Sequence, residues 1–190
     1  MKKNINVPNA LSLARILFLP LLYVLILYDL RTAFLLAYLV IGATDALDGF
    51  IARKFNLVTN LGKDLDAVAD LLLYISTAVF IYMLYPTYIE PHLTLFYLLM
   101  GVILLSLIVA LIFAKKPIIM HTHILRLCAV MVYSLMFFSY FLDTNLYLAT
   151  IIILYIIGFS ESICMFVFYG DVDPDTRSIF HLMRKTRDLA

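Results

Sequence analysis

Six long apolar runs dominate this chain and limit what it can fold into. They lie at about residues 10–28, 32–53, 64–85, 92–114, 123–142 and 146–169. Each is ~19 to 24 residues long, and an α-helix of that length crosses a ~30 Å hydrocarbon core. The breaks between them are short and polar: residues 29–31, the stretch between Arg53 and Gly62, and residues 86–91, 115–122 and 143–145. In lipid, every backbone N–H and C=O must be satisfied within its own segment, so apolar runs of this length become helices. With 64% of its 190 residues hydrophobic and 14% charged, the chain is too apolar for a soluble domain of this size. The expected fold is all-α: an integral membrane bundle of six transmembrane helices, one domain over residues 1–190, with interfacial ends at 1–9 and 171–190.

Charge gives the orientation. Of the 14 Lys and Arg residues, only Arg31 falls on one side of these spans; the rest, from Lys2 and Lys3 through Arg15, Arg53 and Lys63 to the C-terminal Arg187, fall on the other. Cytoplasmic loops are enriched in Lys and Arg, so both termini are expected in the cytoplasm and the protein in the cell membrane. The formal net charge is +1, which offers no field for nucleic acid. No small-residue cleavage site follows the first apolar run. It therefore reads as a retained helix, with Pro8 and Asn9 at its entry and Asn9 as its cap. Cys128 and Cys164 both sit in apolar runs and read as small core residues.

Against this apolar background, residues 44–71 carry Asp45, Asp48, Asp66 and Asp70. Ionisable residues in membrane segments are costly and mark function. Asp45 and Asp48 are i and i+3, and Asp66 and Asp70 are i and i+4, so each pair shares a helix face. The polar stretch between them, with Asn56, Thr59 and Asn60, reads as the turn of an antiparallel pair. Both acid pairs then meet near one membrane surface, where divalent cations relieve their mutual repulsion. The donors are all hard oxygens, which favours Mg²⁺ or Mn²⁺ over zinc. Asp64 falls outside the spacing and reads as a solvated or capping residue at the start of the third span.

The run Asp45-Ala-Leu-Asp48-Gly49-Phe-Ile-Ala52-Arg53, eight residues, Gly62, three residues, Asp66, three residues, Asp70 resembles the CDP-alcohol phosphotransferase signature at every fixed position. Val7-Pro8-Asn9 with Ser12 and Arg15 is similar to that family's usual opening. The resemblance implies a metal-dependent membrane transferase, active at the cytoplasmic face as a homodimer. It would move a phosphatidyl-type group from a CDP-linked lipid to the hydroxyl of an acceptor alcohol and release CMP. It implies two metal ions held by Asp45, Asp48, Asp66 and Asp70, with Asp70 as general base. It also places Arg53 at the diphosphate, with Asp66 and Arg53 among the catalytic residues and Gly49, Ala52 and Gly62 lining the nucleotide.

Lys115, Lys116, His121, His123 and Arg126 gather on the expected cytoplasmic side, where five potentially cationic groups suit an anionic acceptor such as a phosphorylated polyol. The two histidines are also metal ligands in principle, though short basic loops usually leave them solvated. Glu161 lies in the inner half of the sixth run, within reach of Arg126, and a structural ion pair is expected there. From Arg177 onward, Ile179, Phe180, Leu182 and Met183 alternate with basic residues, a pattern suited either to an anionic leaflet or to solvent.

Two departures leave the acceptor open. Ala67 and Leu71 stand where many relatives carry proline and lysine, and residues 95–114 hold no charge. A glycerophosphate- or inositol-phosphate-using member and a cardiolipin-synthase-type member using phosphatidylglycerol all fit. The rival outside the family is a small transporter with buried carboxylates. A transporter site is expected near the midplane, on broken helices, whereas these acids cluster at one mouth.

Overall fold

The computed structural model describes residues 6–55, 57, 59–115, 120–170, 172–174 and 176–187. Within its helices, the side chains of residues 45, 46, 49, 53, 60, 63, 64, 67 and 185–187 are outside the description. Every regular element among the described residues is helical: α1 (Val7–Leu27), α2 (Arg31–Lys54), α3 (Asn60–Leu84), α4 (Pro86–Ile89), a 3-10 turn (Glu90–His92), α5 (Leu93–Phe113), α6 (His123–Phe141), α7 (Asn145–Tyr169) and α8 (Ile179–Arg187). Among the described residues, four stretches are long and apolar enough to cross a membrane: Val7–Leu27, Pro86–Phe113, His123–Phe141 and Asn145–Tyr169. In α2 and α3 the apolar part is shorter, Arg31–Thr44 and Val68–Leu84. The acidic motif takes up the remainder of both helices.

Large apolar side chains are widely exposed, among them Leu27 at 74%, Phe168 at 73% and Leu146 at 81%. Water would penalise such a surface, whereas lipid accepts it. The described residues fall into two compact units, Met1–Pro86 with Met136–Leu142, and Thr87–Leu135 with Asp143–Ala190.

In the first unit α1 is the central element: α2 and α3 each pack along it, and among the described residues their own contacts include Phe34 with Phe80 and Tyr38 with Thr77. The buried face of α1 is Pro8, Ser12, Arg15, Leu19 and Leu22, with Asn9 beside Pro8. Alternating steps of four and three residues keep that face in one stripe. Its outer half is apolar and its N-terminal half polar. The helix begins earlier than expected, and its cap is Asn6 rather than Asn9: the Asn6 side chain accepts from the Asn9 N–H at 2.9 Å. Pro8 sits in the first turn, where a missing N–H costs no helical bond.

A second pin lies farther along the helices. The Phe80 ring meets Tyr23 at 4.7 Å and Phe34 at 5.2 Å between centroids, joining α1, α2 and α3. Tyr23 donates to Ser76 at 2.9 Å, and the Tyr38 and Thr77 hydroxyls lie 3.1 Å apart. Tyr23 is ~12 Å along α1 from Arg15, at 1.5 Å per residue. Because Tyr38 meets Thr77 while Asp48 meets Arg15, α2 runs opposite to both α1 and α3.

The second unit packs α5 against α7. Ala110, Ala114, Met120, Met165, Phe166 and Val172 form its core, and Ile179 and Leu182 of α8 pack on it. Residues 86–91, expected as a plain separator, are helical instead, because Pro86 and Pro91 both occupy helix-starting positions. The segment after α7 is also tied down. His121 N–H donates to Pro174 C=O at 2.8 Å and His123 N–H to Arg177 C=O at 2.9 Å. The tail thus docks through its backbone before α8 begins.

Candidate functional site

Three motif carboxylates whose side chains are described, Asp48, Asp66 and Asp70, converge on Arg15, a residue that the sequence counts both among the positive-inside charges and in the opening that resembles the family's. Arg15 is 1% exposed. Its Nη2 donates to Asp48 Oδ2 at 2.7 Å, and its Nη1 to Asp70 Oδ1 at 2.5 Å and Asp66 Oδ1 at 3.5 Å. A guanidinium is a planar fork with donors on separate nitrogens, so one arginine can bind carboxylates from two helices at once. Ser12, one turn before Arg15 on the same face, donates to the same Asp48 oxygen at 3.0 Å. Charged groups out of water are costly unless paired and hydrogen-bonded, and the two Nη atoms of Arg15 meet that condition through charge-assisted bonds to the carboxylates.

Exposure is graded. The Asp48 side chain is 4% exposed, while those of Asp66 and Asp70 are 43% and 34% exposed. The site is therefore closed around Arg15 and open at α3. The i, i+4 spacing of Asp66 and Asp70 aims both at α1, as the sequence predicts for two residues on one helix face.

The mouth of the site is built from the first turns of α1 and α3. Asn6 Nδ2 donates to Leu57 C=O at 2.9 Å, and Asn9 Nδ2 to Thr59 Oγ1 at 3.3 Å. Thr59 is the N-cap of α3, its hydroxyl accepting from Gly62 N–H at 3.0 Å. The cap is thus Thr59 and not Asp64, and α3 starts at Asn60 rather than at residue 64. Gly62 faces α1 directly: a Cβ there would collide with Asn9 Oδ1 and sit 3.0 Å from Thr59 Oγ1. Its missing side chain makes room for the asparagine. Ala52 is half-buried on α2. Asp45, Gly49 and Arg53 lie on α2 and Asp64 on α3, but their side chains are outside the described residues.

The donor set suits a hard divalent cation: described carboxylates from both motif halves reach one guanidinium, with no sulfur or imidazole among them. Among the described residues no three carboxylate, histidine or cysteine side chains are gathered closely enough to hold a metal ion. Arg15 is the group the three carboxylates share.

The expected acceptor residues belong to the second unit. Lys115, two residues beyond α5, has a positive φ of 57° and is exposed, as are His121, His123 and Arg126; Lys116 lies outside the described residues. The expected Glu161–Arg126 pair is not made. Glu161 Oε1 instead accepts from the Ile179 N–H at 2.9 Å and starts α8, and its buried Oε2 has no hydrogen-bond partner among the described residues. A helix-end N–H has no intrahelical partner, and the Glu161 carboxylate satisfies that of Ile179.

Asn9, Ser12 and Arg15 carry a signal in the sequence, since they belong to the opening that resembles the family's, and Ser12 and Arg15 at i and i+3 share one helix face. Thr59 carries none beyond its place in the turn, because threonine is common at helix starts.

A family model described as CDP-alcohol phosphatidyltransferase matches residues 5–160. Among curated relatives, the CDP-diacylglycerol-glycerol-3-phosphate 3-phosphatidyltransferase of Rickettsia prowazekii (strain Madrid E) is 41% identical over 76 residues, 38% of this chain and 42% of that protein. The protein of the same name in Aquifex aeolicus (strain VF5) is 45% identical over 65 residues, 34% of this chain and 36% of that one. A CMP-forming cardiolipin synthase of Streptomyces coelicolor (strain ATCC BAA-471 / A3(2) / M145) is 39% identical over 84 residues, 40% of this chain and 38% of that protein. The matched stretches span about two-fifths of these relatives' length. With most of its length matched and the motif complete, the chain belongs to the CDP-alcohol phosphatidyltransferase family, a family of membrane transferases of phospholipid synthesis.

Proposed function

We propose that this protein transfers a phosphatidyl-type group from a CDP-linked lipid to the hydroxyl of an acceptor alcohol and releases CMP. The observation that carries the reading is the convergence of Asp48 from one half of the motif and Asp66 and Asp70 from the other on Arg15.

In this reading Asp45, Asp48, Asp66 and Asp70 hold two Mg²⁺ or Mn²⁺ ions, which supply positive charge to the donor diphosphate and to its transition state. Arg53, which keeps its proton, binds the same diphosphate. Gly49 and Ala52 leave room for the nucleotide, and Gly62 keeps the mouth open by admitting Asn9. Asp70, at the exposed end of the cluster, takes the proton of the acceptor hydroxyl. Lys115, Lys116, His121, His123 and Arg126 draw in an anionic acceptor. The topology that fits is six spans with cytoplasmic termini and a cytoplasmic site in the cell membrane, as a homodimer. The partly polar α2 and α3 serve as the second and third spans, with Asp48, Asp66 and Asp70 turned to Arg15 of α1.

Glycerol 3-phosphate is the acceptor favoured here, since two of the relatives above carry it in their names. Phosphatidylglycerol is the second reading, supported by the cardiolipin-synthase relative and by the uncharged α5. The test is CMP release from CDP-diacylglycerol by purified protein against glycerol 3-phosphate, inositol phosphate, serine and phosphatidylglycerol. Release stimulated by glycerol 3-phosphate supports the reading. Stimulation by phosphatidylglycerol alone moves the protein to the second, and no release with any acceptor overturns both.

A further inference from the structure

We propose that α8 is an interfacial helix whose outer face, Phe180, Met183 and Arg184, binds an anionic phospholipid surface beside the end of α7. The inference rests on the membrane reading of α5 and α7 and goes beyond the transfer reaction, no step of which uses α8.

Spacing divides the faces of α8. Ile179 and Leu182, at i and i+3, pack on the core that Ala110, Met165 and Phe166 form at the ends of α5 and α7. Phe180, Met183 and Arg184, at i, i+3 and i+4, share a different face. Phe180 is 70% and Met183 51% exposed, and Arg184 is exposed beside them. Depth follows from Glu161, which lies ~24 Å along α7 from Asn145 at 1.5 Å per residue. A ~30 Å hydrocarbon core entered at Asn145 therefore ends beyond Glu161. Glu161 Oε1 accepts from the Ile179 N–H at 2.9 Å, so α8 starts at that depth and not out in the water. The backbone bonds from His121 to Pro174 and from His123 to Arg177 hold the residues before it against the start of α6. An apolar pair held at this level meets lipid, as in other amphipathic helices that lie in the interface. Charge selects the lipid. Residues 177–187 hold Arg177, Arg184, Lys185 and Arg187 and no acid. The stem of Arg184 follows the apolar boundary while its guanidinium reaches a lipid phosphate. Each basic residue near an anionic leaflet favours the docked state about five-fold, a gain that a neutral leaflet does not offer.

The chain has no tryptophan, so Phe180→Trp puts a single indole emitter on this face. The full chain carrying it is reconstituted into vesicles of phosphatidylcholine alone, or of equal parts phosphatidylcholine and phosphatidylglycerol. Indole emission is then quenched either by lipid brominated high on the acyl chain or by acrylamide in the water. In the anionic vesicles the emission is expected to be blue-shifted, quenched by brominated lipid and shielded from acrylamide, and each effect is expected to be weaker in phosphatidylcholine. Adding Arg184→Gln is expected to move the ratio of lipid-quenched to water-quenched emission about five-fold towards water. Met183→Trp, on the same face, carries the test if Phe180→Trp does not fold. Quenching by acrylamide and not by lipid in both vesicles overturns the proposal in favour of a solvated tail. Shielding from both quenchers overturns it in favour of a protein surface, such as a second copy of the chain. Lipid quenching that is equal in the two vesicles and unmoved by Arg184→Gln overturns the recognition of anionic lipid and leaves apolar insertion alone.

Discussion

Gly62→Ala separates two explanations of a glycine that belongs to the motif. In the structure a Cβ at this position overlaps Asn9 Oδ1, and it lies 3.0 Å from Thr59 Oγ1 and 3.3 Å from Asn9 Cγ. Asn9 cannot move aside cheaply. It is 6% exposed, and its Nδ2 is bonded to the same Thr59 hydroxyl that caps α3. Overpacking of this kind costs about 1–3 kcal/mol. Disturbing a Thr cap adds about 1 kcal/mol. The variant should therefore lose about 2–4 kcal/mol, read as a lower midpoint of thermal or denaturant unfolding in detergent. Asn9→Ala removes the obstacle, so the double variant should lose less than the sum of the two single changes. Coupling of about 0.5–3 kcal/mol is the usual range for residues in contact. If Gly62→Ala unfolds like wild type, or if its loss adds to that of Asn9→Ala without coupling, α1 is not docked on the α3 cap as described. Gly62 would then matter only for nucleotide approach.

Two further outcomes follow from the site. Asp48→Ala removes the most buried of the three carboxylates and leaves Arg15 facing an empty position, a change that costs about 3–5 kcal/mol for a buried pair. CMP release should be lost, and a purified variant that folds and retains turnover would contradict its role. Neutralising Lys116 and Arg126 together should raise the KM for an anionic acceptor more than the KM for the CDP-lipid. An unchanged acceptor KM would remove the basic-pocket assignment.

Much of the fold was legible because a membrane reduces the choice of structure to helix length. Val7–Leu27, His123–Phe141 and Asn145–Tyr169 fall close to where uninterrupted apolar runs put them. Helix starts were less legible, because they depend on which of several polar residues makes the cap. Asn6 and Thr59 hold those places, and Asn9 and Asp64 read equally well in one dimension. The facing of Asp66 and Asp70 followed from spacing alone. The role of α1 did not. An arginine near the end of an apolar helix has the same sequence signature whether it lies in the headgroups or turns inward to meet carboxylates 33 to 55 residues away in the chain. Only the packing of α2 and α3 on α1 decides between them. Glu161 was misread for a related reason. Its partner is a backbone N–H on a tail that folds back, and no sequence pattern announces that return.

The account turns on acidic side chains from two helices, gathered by α1, acting with a divalent ion on a CDP-lipid. The most direct measurement is CMP release from CDP-diacylglycerol by purified wild-type protein, first in excess chelator and then with graded Mg²⁺. The account predicts no release in chelator and saturable recovery as Mg²⁺ is restored. Release that continues undiminished in chelator would contradict it.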